Sequence, residues 1–272
     1  MKYTTIFKGN SESDLLNIFA SNPIDILSLS LDDPPEILTE FVKKYEGKFL
    51  AGFISYEYGV KQLGVPVHNL NGFPAAHFRV YDSFEKNKNI EIPKNIDWDQ
   101  FKSTLLKSEY DSGFEKIQNH IRSGDFYQIN FTHSLKSKTK ASPKELFLKL
   151  RGKNQVGYSV FMEHNDWAIH SLSPEQFIKI ENRIITTKPI KGTFPRGQSQ
   201  EEDNYNLKSL LNSEKEQAEL YMIIDLLRND LGKICKTGSV QVLQSKSIQK
   251  LEKVFHTFGD VQGKLNSMLH PI

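Results

Sequence analysis

Tyr158-Ser159-Val160-Phe161-Met162, Trp167-Ala168-Ile169-His170-Ser171-Leu172, Phe177-Ile178-Lys179-Ile180 and Arg183-Ile184-Ile185-Thr186-Thr187 follow one another with only short gaps. Each run is rich in β-branched or aromatic side chains, which suit a pleated, half-buried surface. Glu181-Asn182 supplies a turn between the last two, so the stretch predicts strands in hairpin succession. Working outward, Phe126 to Leu135 and the aromatic-rich Phe49 to Tyr58 read as further strands. Helices are inserted among them, and three carry the reciprocal box in which a serine caps the helix and a glutamate three residues on reaches back. Ser112/Glu115 opens a helix with Phe114, Ile117 and Ile121 on one stripe and Gly124 at its end. Ser142/Glu145 adds Pro143 at the first helical position and stops at Gly152. Ser213/Glu216 opens the third. The fold class expected is α+β, with largely antiparallel sheets and flanking helices.

The 272 residues suffice for one large or two modest domains, and 38% apolar with 25% charged side chains is an ordinary globular composition. Against 33 acidic side chains stand 35 basic ones. No global field then attracts nucleic acid or anionic lipid, and an anionic ligand needs a local site. No apolar run approaches the roughly 20 residues of a membrane span. Met1 to Thr5 lacks the apolar core of a secretion signal, and the single Cys235 forms no internal disulfide, so a cytoplasmic location is expected. Dinucleotide-binding and phosphate-loop glycine patterns are missing from the sequence. The polar stretch Asn87 to Asn95 precedes sharper signals, and a soft division near Ser108 separates residues 1–108 from 109–272.

On the third helix, Met222, Leu226, Ile223, Leu227, Leu220, Leu231 and Ile224 fall on one wide apolar arc. Glu216, Glu219 and Asp230 fall inside it. A carboxylate facing a core is costly unless a cation or several donors meet it. Glu216 and Glu219, three residues apart, can present oxygens to Mg²⁺, leaving coordination places for water and a substrate carboxylate. Capping from Ser213 accounts equally for Glu216, but not for Glu219.

Lys188 to Gly197 holds three cations, two prolines and two glycines. The prolines stiffen the backbone and Gly192 admits a close ligand, so Lys191 can be held against a bound anion. A lysine beside other cations, or desolvated, supplies a neutral amine nucleophile. The plain alternative is a solvated loop lysine. His256, in the alternating stretch Val254 to Phe258, is a candidate acid or base, or else a satisfied structural histidine. Cys235 reads as structural.

These segments together resemble the chorismate-utilising enzymes. The resemblance runs in order through Gly124 to Asn130, Ser171 to Glu175, Pro189 to Gly197, Ser213 to Glu219 and Asp225 to Gly232, covering roughly residues 109 to 272, with a fainter echo at Phe53 to Glu57. It implies an anthranilate synthase component I-like fold. Within the family, members resembling anthranilate synthase carry alanine at the position of Lys191. Aminodeoxychorismate synthases carry Pro-Ile-Lys-Gly-Thr, as residues 189–193 do here. The implied activity is amination of chorismate on the para-aminobenzoate branch of folate synthesis. In it the lysine attacks C2 as the C4 hydroxyl leaves, and ammonia then displaces the enzyme. By resemblance Lys191 is the nucleophile, Glu219 and Glu216 hold Mg²⁺, His256 lies near the ring, and Gly192 and Thr193 contact substrate. A glutamine amidotransferase subunit is the implied ammonia source.

Family members continue well beyond the position of Ile272, with a glycine-rich segment, a further Mg²⁺-binding glutamate, and arginine and tyrosine contacts to chorismate. The resemblance therefore implies the N-terminal half of a chorismate-binding domain, C-terminally truncated and inactive alone. Phe194, Leu220 and Gly259 depart from the residues usual at their positions. The alternatives are an anthranilate synthase component I and a non-catalytic module that docks an amidotransferase.

Overall fold

The computed structural model describes residues 3–10, 17–153 and 155–269. It divides into two compact units, Met1–Ile90 with Arg151–Ile272, and Glu91–Leu150. The division placed near Ser108 falls within the first turn of a helix instead.

The first unit opens with β1 (Thr4–Lys8), β2 (Ile18–Ser21), β3 (Asp25–Leu29), α1 (Glu36–Lys44), β4 (Phe49–Ile54), α2 (Tyr56–Gln62), β5 (Ala76–Tyr81) and β6 (Glu85–Lys86). Strands β3, β5 and β4 form an antiparallel sheet in that order. Leu29, Leu38, Val42, Tyr58, Ala75 and Ala76 are buried together between this sheet and α1 and α2. The strand expected from Phe49 to Tyr58 ends at Ile54, because the Ser55 hydroxyl accepts the Tyr58 N–H at 3.1 Å and starts α2.

The second unit holds β7 (Lys102–Ser103), α3 (Lys107–Ser123), β8 (Leu135–Lys136) and most of α4 (Pro143–Lys153). Here the expectations need two corrections. Helix α3 begins five residues before Ser112, where the Glu109 carboxylate accepts the Leu106 N–H at 2.8 Å. Its end is as expected, with Gly124 N–H on Ile121 O and Asp125 N–H on His120 O. The strand expected over Phe126 to Leu135 shrinks to Leu135–Lys136, which pair with β7. The α4 box forms as read, Ser142 N–H to Glu145 at 2.9 Å and Glu145 N–H to the Ser142 hydroxyl at 3.4 Å.

The chain returns to the first unit as β9 (Tyr158–Glu163), β10 (Ala168–Ser173), β11 (Gln176–Glu181), β12 (Ile184–Lys188), β13 (Ile190–Pro195), α5 (Gln200–Asn212), α6 (Glu214–Ile234), β14 (Gln241–Lys250) and β15 (Val254–Lys264). Strands β10-β9-β1-β2-β6 form one antiparallel sheet. In the other, β15 is the spine: β12 and β13 meet its successive halves, and β14 lies beside it. The β11–β12 hairpin turns on Asn182 and Arg183, whose φ of 50° and 63° are those of the tight turn that matches strand twist.

Every second residue of β15 from Phe255 to Gly263 is buried. That face is covered by α6, through Leu220, Ile224, Leu231 and Cys235 packed on Ile185, Val261 and Leu265. The apolar arc predicted for α6 is wider than the stripe the sheet covers. Leu226 is 53% exposed, Met222 is also exposed, and Asp230 pairs with Lys233 at 2.8 Å. No helix among the described residues is long and apolar enough to cross a membrane.

Candidate active site

The basic stretch contains an edge strand. Pro189 and Pro195 bracket β13, which among the described residues pairs only with β15. Proline lacks a ladder donor and is tolerated where no second neighbour asks for one. The register runs Ile190 to Phe258 and Lys191 to Thr257, then shifts so that Thr193 opposes His256. Gly192 is the extra residue of this bulge, at φ 74° in the left-handed region where side-chain-bearing residues are strained.

The bulge brings Thr193 to His256 and Gly192 to the first turn of α6. Thr193 Oγ1 and His256 Nδ1 are hydrogen-bonded at 2.9 Å. Burial pushes the His256 pKa below the ordinary histidine value, although a backbone hydrogen bond with Gly192 and the Glu175 charge pull the other way. The ring is thus neutral near pH 7 and able to accept a proton. On the other side of the strand, a Cβ placed on Gly192 would lie 3.2 Å from Glu216 Cβ, so the first turn of α6 sits against the bulge.

Ser213 does double duty there. Its hydroxyl accepts the Glu216 N–H, while its own N–H is taken by Leu210 O at the end of α5. The reciprocal half of the predicted box is therefore occupied, and capping does not engage the Glu216 carboxylate. Glu216 and Glu219 side chains are 19% and 30% exposed, and the Lys215 ammonium lies 3.9 and 3.8 Å from them. Among the described residues no three His, Cys, Asp or Glu side chains converge on one point. The donor set is two carboxylates on one helix. In kind it fits Mg²⁺, which is held by one or two carboxylates and fills its other places with water and substrate oxygens.

Of the three cations in the basic stretch, two are engaged. Arg196 grips Asp203 through Nε at 2.7 Å and Nη2 at 2.8 Å, and its guanidinium lies over the Phe255 ring. This fork ties the end of β13 to α5. Lys188 faces Asp260 at 3.6 Å. Lys191, half-buried, has no ion-pair partner among the described residues. Sequence reasoning missed Glu175, whose carboxylate accepts the Ile190 N–H at 3.0 Å and whose charge reaches His256. An acid straight after the Ser173-Pro174 turn, between two strands beside the basic stretch, was the available signal. Cys235 is buried where α6 ends, its thiol pushed up by burial, as suits a structural residue.

The chain spans less than half the length of the curated relatives it matches. It is 36% identical over 170 residues to aminodeoxychorismate synthase component 1 of Salmonella typhimurium, covering 62% of this chain and 37% of that protein. To anthranilate synthase component 1 of Aquifex aeolicus it is 32% identical over 212 residues, 74% of this chain and 43% of that one. Among solved structures, anthranilate synthase component I from Streptococcus pneumoniae superposes with a TM-score of 0.78 at 25% identity, covering 97% of this chain and 70% of the other. The fold is thus that of anthranilate synthase component I. The chorismate binding enzyme family matches residues 31–272, a span that holds β13, α6 and β15 with every candidate residue on them, and the chain belongs to that family.

Proposed function

We propose that the protein containing this chain is an aminodeoxychorismate synthase component I, which aminates chorismate at C4 through a covalent adduct on Lys191. The observation that carries the reading is a lysine without an ion-pair partner on the bulged edge strand β13, next in sequence to Gly192, which packs on the first turn of α6, and two residues before Thr193, which is bonded to His256. Chorismate is a dianion, so a pair of helix carboxylates able to hold Mg²⁺ suits one of its two carboxylates. Glu219 and Glu216 would hold Mg²⁺, which when bound neutralises one substrate carboxylate and orients the ring.

This chain's own residues do the rest. The Lys191 amine forms a bond to C2 as both ring double bonds shift and the C4 hydroxyl departs with a proton as water. Ammonia then bonds to C4, both double bonds shift back, and the C2–N bond to Lys191 breaks as the lysine amine leaves, giving 4-amino-4-deoxychorismate. In this reading His256, neutral and hydrogen-bonded to Thr193, takes and returns a proton. A rigidly held amine gains effective molarity that reaches about 10⁵ M in well-oriented systems. The ammonia comes from a glutamine amidotransferase subunit.

The longer match to the Aquifex anthranilate synthase supports a second reading, ortho amination. Lys191 speaks against it. The test uses the protein in its full reading frame, incubated with chorismate and Mg²⁺ without ammonia and then examined by intact-mass and peptide mass spectrometry. An adduct on the Lys191 peptide, lost in Lys191→Ala and weakened in Glu219→Gln, is expected. Ammonia-dependent anthranilate with no adduct would overturn the proposal.

A further inference from the structure

Thr257 is the cross-strand partner of Lys191 and is buried on the face of β15 that α6 covers. Its Oγ1 donates to the Lys191 carbonyl oxygen. That carbonyl belongs to the peptide joining Lys191 to Gly192, the one that swings into the left-handed region to make the bulge. A bulge takes a residue out of the ladder and so removes part of the restraint that regular pairing puts on its neighbours. The backbone of Lys191 is held instead by side chains on both flanks. Glu175 accepts the Ile190 N–H before it, and Thr257 donates to the carbonyl after it.

Burial makes the Thr257 contact more than incidental. A buried hydroxyl without a partner costs about 1–3 kcal/mol, so Thr257 is strongly biased to the rotamer that reaches this oxygen. The same Oγ1 lies 2.9 Å from the point where a Cβ on residue 192 would stand, so it also fills the space the glycine leaves.

We propose that Thr257 is a positioning residue for the Lys191 nucleophile: its hydroxyl locks the 191–192 peptide and thereby fixes the direction in which the amine leaves the strand. The inference rests on the reading of Lys191 as the nucleophile. It acts through backbone geometry, so substrate binding stays nearly intact while the covalent step slows.

The experiment compares Thr257→Val, which keeps the shape and removes the donor, with Thr257→Ser, which keeps the donor, in the full reading frame. Two readouts are taken: the rate and chorismate dependence of adduct formation on Lys191, and hydrogen exchange of the Gly192 amide, which belongs to the locked peptide. In the valine variant the adduct should form at least tenfold more slowly, a loss in line with a misplacement of about 1 Å or less. Half-saturation by chorismate should stay within twofold, and Gly192 exchange should quicken at least tenfold. Serine should bring both rates back to within threefold of the parent. Unchanged adduct formation and exchange in the valine variant, or equal losses with serine, would overturn the proposal. If valine prevents folding, Thr257→Ala is read in the same two ways against serine. If the parent itself forms no adduct, the nucleophile reading fails and this role with it, while the exchange comparison separately shows whether the hydroxyl holds the peptide.

Discussion

Replacing Gly192 with alanine tests the bulge directly. At φ 74° an L residue bears a conformational cost of about 1–2 kcal/mol. The new Cβ would also stand 2.9 Å from Thr257 Oγ1, 3.0 Å from Leu210 Cδ1 and 3.2 Å from Glu216 Cβ. These neighbours come from three elements, so no single side chain can relieve all of them, and overpacking of this kind costs about 1–3 kcal/mol. Gly238 is the control, because its φ of 77° is nearly the same yet nothing lies within 4 Å of its virtual Cβ. Both substitutions reduce the freedom of the unfolded chain alike, so that contribution cancels in the comparison. Gly192→Ala should lose about 2–5 kcal/mol in all and Gly238→Ala about 1–2. The assay is urea unfolding followed by the fluorescence of Trp167, which lies in the same unit as both glycines, in a Trp98→Phe background. Equal shifts of the two midpoints at unchanged slope would show that nothing presses on residue 192 and would refute the packing described around it.

Two further outcomes follow from local chemistry. His77 accepts from Arg79 Nε at Nε2, 3.0 Å away, so its Nδ1 carries the proton shared with Ser28 Oγ at 2.8 Å, and burial holds its pKa down to about 4. The unfolded chain therefore binds a proton from pH 6.5 downward that the folded one refuses, and stability falls between pH 6.5 and 4 by up to about 3 kcal/mol; the slope in unfolding free energy should flatten in His77→Gln. Ser142→Ala removes the α4 cap and should cost about 1 kcal/mol, read as faster hydrogen exchange at the Glu145 amide.

Hairpins were legible because alternation and turn chemistry are local properties: Asn182 and Arg183 turn the chain within a residue of where the pattern places the turn. The segment after Gly124 was not. Phe126, Ile129 and Phe131 punctuate it in a strand-like way, yet Tyr127 is 85% exposed and no ladder forms before Leu135. Period reports which side chains share a face, whereas a strand needs a partner edge that the segment itself does not encode. Helix α3 was misplaced for a related reason. Its box is closed by Glu109 on the N–H of a leucine, so a search for serine or threonine oxygens passes over it.

The candidate site shows the same limit and one way past it. Thr193 and His256 are 63 residues apart, and nothing in their spacing brings them together. In an unbroken ladder continuing from the Lys191–Thr257 pair, Thr193 would oppose Phe255, and it would share the face that α6 buries. One inserted residue moves its partner to His256 and turns its side chain to the opposite face, because alternation has a period of two. Gly192 was legible as a residue that lets a ligand approach, but its structural work is to supply that inserted residue in a conformation others resist. The threonine and the histidine therefore meet through a register shift, on the face opposite to that of Thr257, the partner of Lys191, and the Pro189-Ile190-Lys191-Gly192-Thr193 run carries in its glycine a local mark of that shift.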